Sequence, residues 1–398
     1  MRLFQCEICA SPLYFESRHC DKCRHELGYE PEVSDLLALT REGDVLIPVA
    51  APHQRYRFCA NAAVEACNWL VPEDHDEEYC IACRHNRTIP DISDPKLRTK
   101  WLRIEVAKRR LIYSLLRLNL PLESNEDREG GLCFDFLADA PDKNVPRIMT
   151  GHDEGIVTIA LAEADDAERE QRRNDLGELY RTLLGHFRHE AGHYYWNRLV
   201  RDGNRLEAAR ALFGDERHDY GDSLKAYYKA GPPAGWEETH VSAYATAHAW
   251  EDFAETFKHY IHIVDTLEMA SAFGMKVRPR LDRTGELKAE VDFNPYCAHS
   301  IQRMVEAWAP IAFALNNMNR CLGMSDAYPF VLGKGVMAKL GFIHGLVHRA
   351  IPADPVREDV QSPRSVDLPP GKGKSAEDAP EGSPVAWIAA AAAMVSAV

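Results

Sequence analysis

"RHEAGHYYW", residues 188–196, sets His189, Glu190 and His193 in the spacing H-E-x-x-H. On a helix, residues four apart share a face, so the two histidines can address one metal ion. Glu190, one position on, stands beside that ion, where it can take a proton from an attacking water. A catalytic zinc keeps three protein ligands and one open position. The pattern therefore demands a third ligand elsewhere in the chain. A helix on which two histidines merely pack has the same spacing, so the remaining sequence must decide between them.

The metzincin continuation, H-E-x-x-H-x-x-G-x-x-H, does not follow: Trp196 stands at its glycine and Leu199 at its third histidine. The other common solution is a glutamate on a later helix, with a second acid one turn further on to steady a ligand histidine. "TAHAWEDFAETF", residues 246–257, offers that arrangement. Glu251 and Glu255 fall on one helical face, bordered by Trp250, Phe253, Ala254 and Phe257. Two carboxylates facing a core need a cation or a donor, which zinc and its histidine would supply; a solvated acidic face is the alternative. Tyr244, seven residues before Glu251, can donate to an oxyanion, or it is a half-buried packing tyrosine. His186 is a candidate neighbour of the ligands, while His240, His248, His259 and His262 read as surface or packing residues. Asp215, Glu216 and Asp219 are competing metal ligands, or part of a loop lining the cleft.

Working outward, residues 165–200 read as one long helix carrying the motif, with an apolar stripe of Leu176, Leu179, Leu183 and Phe187. Two strands are expected before it, at 131–139 and 155–164. The second is a candidate edge strand that would hold extended substrate by backbone pairing, or else an ordinary core strand. A helix is expected from Pro95 towards a stop at Pro121, another over "AWEDFAETFKHYIHIVDTL", and further helical patterns run to about His348. Beyond Ile351 the composition turns to Pro, Ser, Gly and charges, which reads as a disordered tail. Its apolar end, residues 385–398, is too short to span a bilayer.

Eight of the 11 cysteines lie in the first 83 residues. Cys6, Cys9, Cys20 and Cys23 form two C-x-x-C knuckles, the pattern of a closed four-thiolate zinc site. Cys59, Cys67, Cys80 and Cys83 form a looser second set, with pairing interleaved between the sets as the competing arrangement. Dense paired cysteines without a secretory leader point to metal rather than disulfides and to a reducing, cytoplasmic setting. The isolated Cys133, Cys297 and Cys321 read as buried core thiols.

The chain of 398 residues has a formal net charge of -14, and residues 1–100 hold 12 Lys and Arg against 17 Asp and Glu. Nucleic-acid affinity rests on phosphate contacts, so zinc knuckles on this acidic background argue against a nucleic-acid surface. No stretch is long and apolar enough to cross a membrane.

Taken together, the cysteine knuckles, "ACNWLVP", "CIACRHNRTIPD", "HEAGHYYW", "GPPAGW", "SAYATAHAWEDFAETF" and "DAYPFVLG" resemble the zinc-binding metallopeptidases that carry an N-terminal zinc ribbon. The active-site pattern is also similar to that of lethal-factor-type gluzincins. In them a Tyr precedes the ligand Glu by seven residues. That resemblance implies a transition-state donor role for Tyr244, a zinc ligand at Glu251 and a supporting acid at Glu255. The expected fold is α+β and mainly helical: a zincin-like (gluzincin) catalytic domain preceded by small zinc-binding modules. The divisions are a four-cysteine ribbon (1–35), a second four-cysteine segment (36–94), the metallopeptidase domain (95–350) and the tail (351–398). The expected function is peptide-bond hydrolysis with one catalytic zinc and one or two structural zincs. Glu190 and Tyr244 would be catalytic, and His189, His193 and Glu251 the ligands. The expected partners are a peptide or protein substrate and a protein recruited by the ribbons or the tail. An inactive zinc-ribbon scaffold and a zinc hydrolase of a non-peptide amide stay open as alternatives.

Overall fold

Two short antiparallel strands, β1 (Phe4–Gln5) and β2 (Pro12–Leu13), carry the first cysteine knuckle. The structure is a computed structural model that describes residues 2–349 apart from 141, 143, 170–181 and 329. Five further strands form an antiparallel sheet in chain order: β3 (Glu26–Glu30), β4 (Asp35–Glu42), β5 (Val45–Pro48), β6 (Tyr56–Phe58) and β7 (Leu70–Pro72). Sequence patterning reads this region as turn-rich, because most of these strands are too short to show a two-residue alternation, and in β4 the alternation fades into an exposed end. Phe15, Tyr29 and Trp69 form its aromatic core, with ring centroids 4.9 Å (Phe15–Tyr29) and 4.6 Å (Tyr29–Trp69) apart.

That core does not close on itself. Tyr113 of helix α1 (Pro95–Arg117) completes it, 5.5 Å from Phe15. Helix α1 starts where expected, because Asp94 accepts from Lys96 N (2.7 Å) and Pro95 occupies the first turn. It stops at Arg117, before Pro121; the chain turns at Asn119, which adopts a positive φ of 50°.

The second sheet has four strands in the order β10-β11-β9-β8: β10 (Gly151–Asp153), β11 (Ile156–Ala160), β9 (Cys133–Leu137) and β8 (Asn86–Thr88). Strand β9 runs parallel to both β8 and β11, and β10 folds back antiparallel on β11. Strand β8 follows Cys83 by three residues, so the cysteine-bearing segment enters the sheet of the following domain across the expected division at 94. The candidate edge strand needs correction. Its β11 portion is interior, with Val157 and Ile159 fully buried, and the edge is the three-residue β10. The tight Glu154–Gly155 turn adds that strand; both residues have positive φ (39° and 93°).

Phe134 and Phe136 of β9 meet Phe187 of helix α2 (Leu183–Tyr195) at 5.5 and 6.3 Å. Residues 165–200 are not one helix. Thr182 is extended (φ -112°, ψ 155°) and caps a new helix by accepting from Gly185 N, 2.9 Å away. Leu176 and Leu179 lie outside the described residues. After α2 come α3 (Leu206–Phe213), α4 (Tyr220–Ala230) and the long α5 (Ala249–Ala272). A short hairpin of β12 (Lys276–Val277) and β13 (Ala289–Glu290) then leads to α6 (Ile301–Cys321) and α7 (Lys334–Arg349), which pack on α5.

Helices α2 and α5 cross closely because Gly192 faces Ala254; a Cβ at 192 would lie 2.8 Å from Ala254 Cα. Tyr195 stacks on Phe257 at 5.3 Å and Trp196 meets Phe253 at 5.2 Å, so the aromatic end of the opening motif is packing. Cys133 is buried as expected, but Cys297 and Cys321 are exposed: one sits in a short turn and the other ends α6. The expected tail, 351–398, lies outside the described residues.

Candidate metal centres

Helix α2 presents His189 and His193 on one face, and the first turn of α5 presents Glu251 against them. His189 Nε2 lies 3.2 Å from His193 Nε2 and 3.0 Å from Glu251 Oε2. His193 Nε2 is 3.6 Å from Glu251 Oε1. The three donors lie within 4.8 Å of one another. Tetrahedral geometry at ordinary zinc–nitrogen distances would separate two ring nitrogens by about 3.3 Å.

The far side of His189 explains its orientation. Its Nδ1 meets Glu255 Oε1 at 2.8 Å, one turn along α5. Glu255 is held in turn by Ser242 Oγ, which donates to Oε2 (2.7 Å), and by Lys258 Nζ, which donates to Oε1 (2.5 Å). With the proton on Nδ1, the Nε2 lone pair faces Glu251. A carboxylate and two imidazole lone pairs cannot share that space without a cation between them. Glu251 Oε2 is buried and receives no well-formed hydrogen bond among the described residues.

The electrostatics repeat the demand. Burial opposes charge on His189, but the Glu251 and Glu255 carboxylates outweigh it and push the ring up to about 10. Burial raises Glu251, and His193 and His189 overcome that, bringing it down to about 2. Burial, with the nearby His189 charge, drives His193 down to about 4. A proton on His189 partly stands in for a cation, and the donor set fits zinc.

Glu190 is 7% exposed, and burial pushes its carboxyl up to about 7. Tyr244 sits in the short turn before α5, with its ring 6.1 Å from that of His189. His186 turns away from the ligands to Glu163, with Nδ1 3.1 Å from Oε2. The loop acids are engaged elsewhere: Asp215 pairs with Arg217, Glu216 with Arg210, and Asp219 caps α4. His248 caps α5 through Trp250 N (3.1 Å), and His259 meets the Tyr328 hydroxyl (2.7 Å).

Several neighbours are absent from the sequence reading. Tyr220 Oη donates to Glu251 Oε1 at 2.6 Å, and nothing in its local sequence marks it. Ser242 and Lys258 flank the acidic pair in the chain, and Lys258 stands one helical turn after Glu255, a visible cue. His152 on β10 lies with its ring 6.0 Å from that of His193, and its Nε2 accepts from Gly155 N (2.9 Å).

The cysteines gather in the two sets that their spacing suggests, without interleaving: Cys6, Cys9, Cys20 and Cys23, then Cys59, Cys67, Cys80 and Cys83. Sulfur separations of 3.6 Å (Cys6–Cys23), 3.5 Å (Cys9–Cys20) and 3.7 Å (Cys67–Cys80) approach the roughly 3.8 Å of a tetrahedral four-thiolate zinc site. In the first set each knuckle closes with a left-handed residue, Ala10 (φ 58°) and Arg24 (φ 65°). Cys9 and Cys23 are half-buried there, whereas all four cysteines of the second set are buried.

Among the described residues no helix is long and apolar enough to cross a membrane. No solved structure matches the chain. Uncharacterized proteins of Mycobacterium bovis and of two strains of Mycobacterium tuberculosis are 38% identical to it over 354 residues, covering 88% of this chain and 97% of theirs. A zinc-ribbon family model matches residues 3–94, and the model of the family described as "Putative zinc-binding metallo-peptidase" matches residues 97–346. With two four-cysteine groups and a His–His–Glu group on the matched residues, the chain belongs to this zinc-binding metallopeptidase family and carries that match behind a zinc ribbon.

Proposed function

We propose that the protein is a zinc-dependent endopeptidase of the gluzincin type, in which His189, His193 and Glu251 hold the catalytic zinc. The convergence of three lone-pair donors beside the buried carboxyl of Glu190 carries this reading. The spacing of Tyr244, Glu251 and Glu255, shared with lethal-factor-type gluzincins, supports it. When bound, zinc would supply Lewis acidity that activates water near neutral pH and polarises the scissile carbonyl.

The residues of the chain do the rest. Glu190 accepts the proton of the attacking water and passes it to the leaving amine. A carboxyl held near neutrality by burial suits a group that must both take and release a proton. The Tyr244 hydroxyl donates to the negative charge developing on the carbonyl oxygen. Glu255 fixes the His189 tautomer, as carboxylates behind ligand histidines do. The edge strand β10 offers backbone groups along which an extended peptide would pair. Recruitment of a protein partner by the cysteine modules or the tail, in a reducing cytoplasmic setting, completes the proposal.

The test is Glu190→Gln assayed on a peptide library. Hydrolysis should fall by at least about three orders of magnitude, several kcal/mol of barrier, while metal content is unchanged. Cleavage by the variant at the wild-type rate would refute the mechanism. A wild-type protein that cleaves no peptide would favour the scaffold reading.

A further inference from the structure

The second cysteine group rests on buried charge. Lys108 and Glu105 of α1 are both fully buried, paired at 2.8 Å, with no route to solvent. Asn86, the first residue of β8, bridges them: its Nδ2 donates to Glu105 Oε1 (2.8 Å) and its Oδ1 accepts from Lys108 Nζ (2.5 Å). Cys83 Sγ lies 4.0 Å from Glu105 Oε2. Arg109 is 4% exposed, and its guanidinium donates to Ala66 O, the carbonyl just before Cys67. Two cations and one carboxylate from α1 are therefore buried beside the second cysteine group, with Glu105 against Cys83 and Arg109 on the carbonyl before Cys67. Isolated buried charges of this kind are strongly unfavourable unless matched. A four-thiolate zinc site carries two net negative charges, so it supplies the missing counter-charge.

We propose that Lys108 and Arg109 are the counter-ions of the Cys59, Cys67, Cys80 and Cys83 metal site, so that metal there locks α1 and β8 into the peptidase domain. The directions of the local electrostatics agree. Burial opposes charge on both residues; Glu105 and Cys83 outweigh it for Lys108, and Cys67 and Glu105 do so for Arg109. Among the described residues no buried cation joins the first cysteine group: its sulfurs meet one another, Ser11 and the backbone of His25. The second site thus acts as an electrostatic rivet between ribbon and catalytic domain.

The proposal makes opposite predictions for two neighbouring variants. Full-length zinc-loaded protein is challenged with a chelator, and alkylation of each cysteine is followed by peptide mapping. Lys108→Met should expose Cys80 and Cys83 to alkylation at least tenfold faster than in the wild type, leaving Cys6 and Cys20 unchanged. Lys108→Arg should restore protection. Glu105→Gln removes a like charge while keeping its shape, so it should slow alkylation or leave it unchanged. In the wild type, hydrogen exchange over residues 86–88 and 105–112 should rise in step with metal loss from the second site. Equal acceleration by Lys108→Met and Glu105→Gln would reduce the cluster to packing and overturn the proposal. So would metal loss from the second site without any rise in exchange over those residues. If Lys108→Met cannot be purified folded, the Lys108→Arg and Glu105→Gln pair and the wild-type exchange data still decide. None of these readouts depends on peptidase activity.

Discussion

At Cys59, Cys67, Cys80 and Cys83 four soft donors close on one another in a buried pocket, and the nearest charged groups are structural partners from α1. At His189, His193 and Glu251 three donors converge and leave one side to Glu190, Tyr244 and Tyr220. Four thiolates would satisfy a zinc ion completely and leave it only a structural part to play. Three donors would leave a position open, and under the proposed function Glu190 is the proton acceptor beside it. The difference between these regions lies in donor count and in what stands next to the donors, not in how firmly either is built.

The sharpest way to break this comparison is Glu251→Ala. Hydrolysis should fall by more than about three orders of magnitude, since metal catalysis contributes several kcal/mol. Metal analysis should show one ion fewer, with the cysteine-bound ions retained. Loss of all metal at once would mean that the centres are not independent.

Acid probes the closed side through one residue. His85, two residues after Cys83, is fully buried and donates from Nδ1 to Leu132 O (2.7 Å). Burial lowers its ring from 6.5 to about 4. Because the folded value lies below the unfolded one, the unfolded chain binds the proton first. Stability is thus complete above about pH 6.5 and declines as pH falls towards about 4, by roughly 3 kcal/mol for this group. Urea unfolding at pH 7.5 and 4.5 measures the loss, and His85→Gln should reduce that pH dependence, the other buried histidines supplying the rest. A variant as acid-sensitive as the wild type would remove His85 from the account.

Glu255→Gln probes the open side more gently. Weakening the carboxylate behind a ligand histidine lowers metal affinity about 10- to 100-fold, so competition with a chelator should release only the His–His–Glu ion. The smallest effect is expected from Gly192→Ala, which presses a methyl group onto Ala254 where α2 and α5 cross. Overpacking of this kind costs about 1–3 kcal/mol, read as a lower melting midpoint with the cysteine sites intact.

The paired cysteines and the shared face of His189 and His193 could be read from spacing, because helix periodicity and C-x-x-C knuckles are local; Glu251 was marked by its helical pairing with Glu255 and by the family resemblance. Glu255 was legible for the same reason. Tyr220 was not: it reaches Glu251 from 31 positions away, on a helix with no buried residue of its own. The β8 pairing was also invisible, because three residues of "NRT" carry no alternation and matter only beside β9. The break at Thr182 was missed because an apolar stripe continues through it, and a single capping threonine outweighs that pattern. The two exposed thiols, Cys297 and Cys321, show that isolation in sequence says nothing about burial.

The placement of β8 has a consequence for how the molecule is made. His85 and its acceptor Leu132 are 47 positions apart, and strand β8 waits on β9 across a similar span. A growing chain therefore exposes all eight paired cysteines well before their sheet partner has been synthesised. Non-local closures of this length slow assembly, so early capture of metal by the knuckles would protect the thiols during that interval. A gene fragment cut between 94 and 97, where the two family matches separate, would leave β8 without a neighbour and Lys108 without its sulfurs.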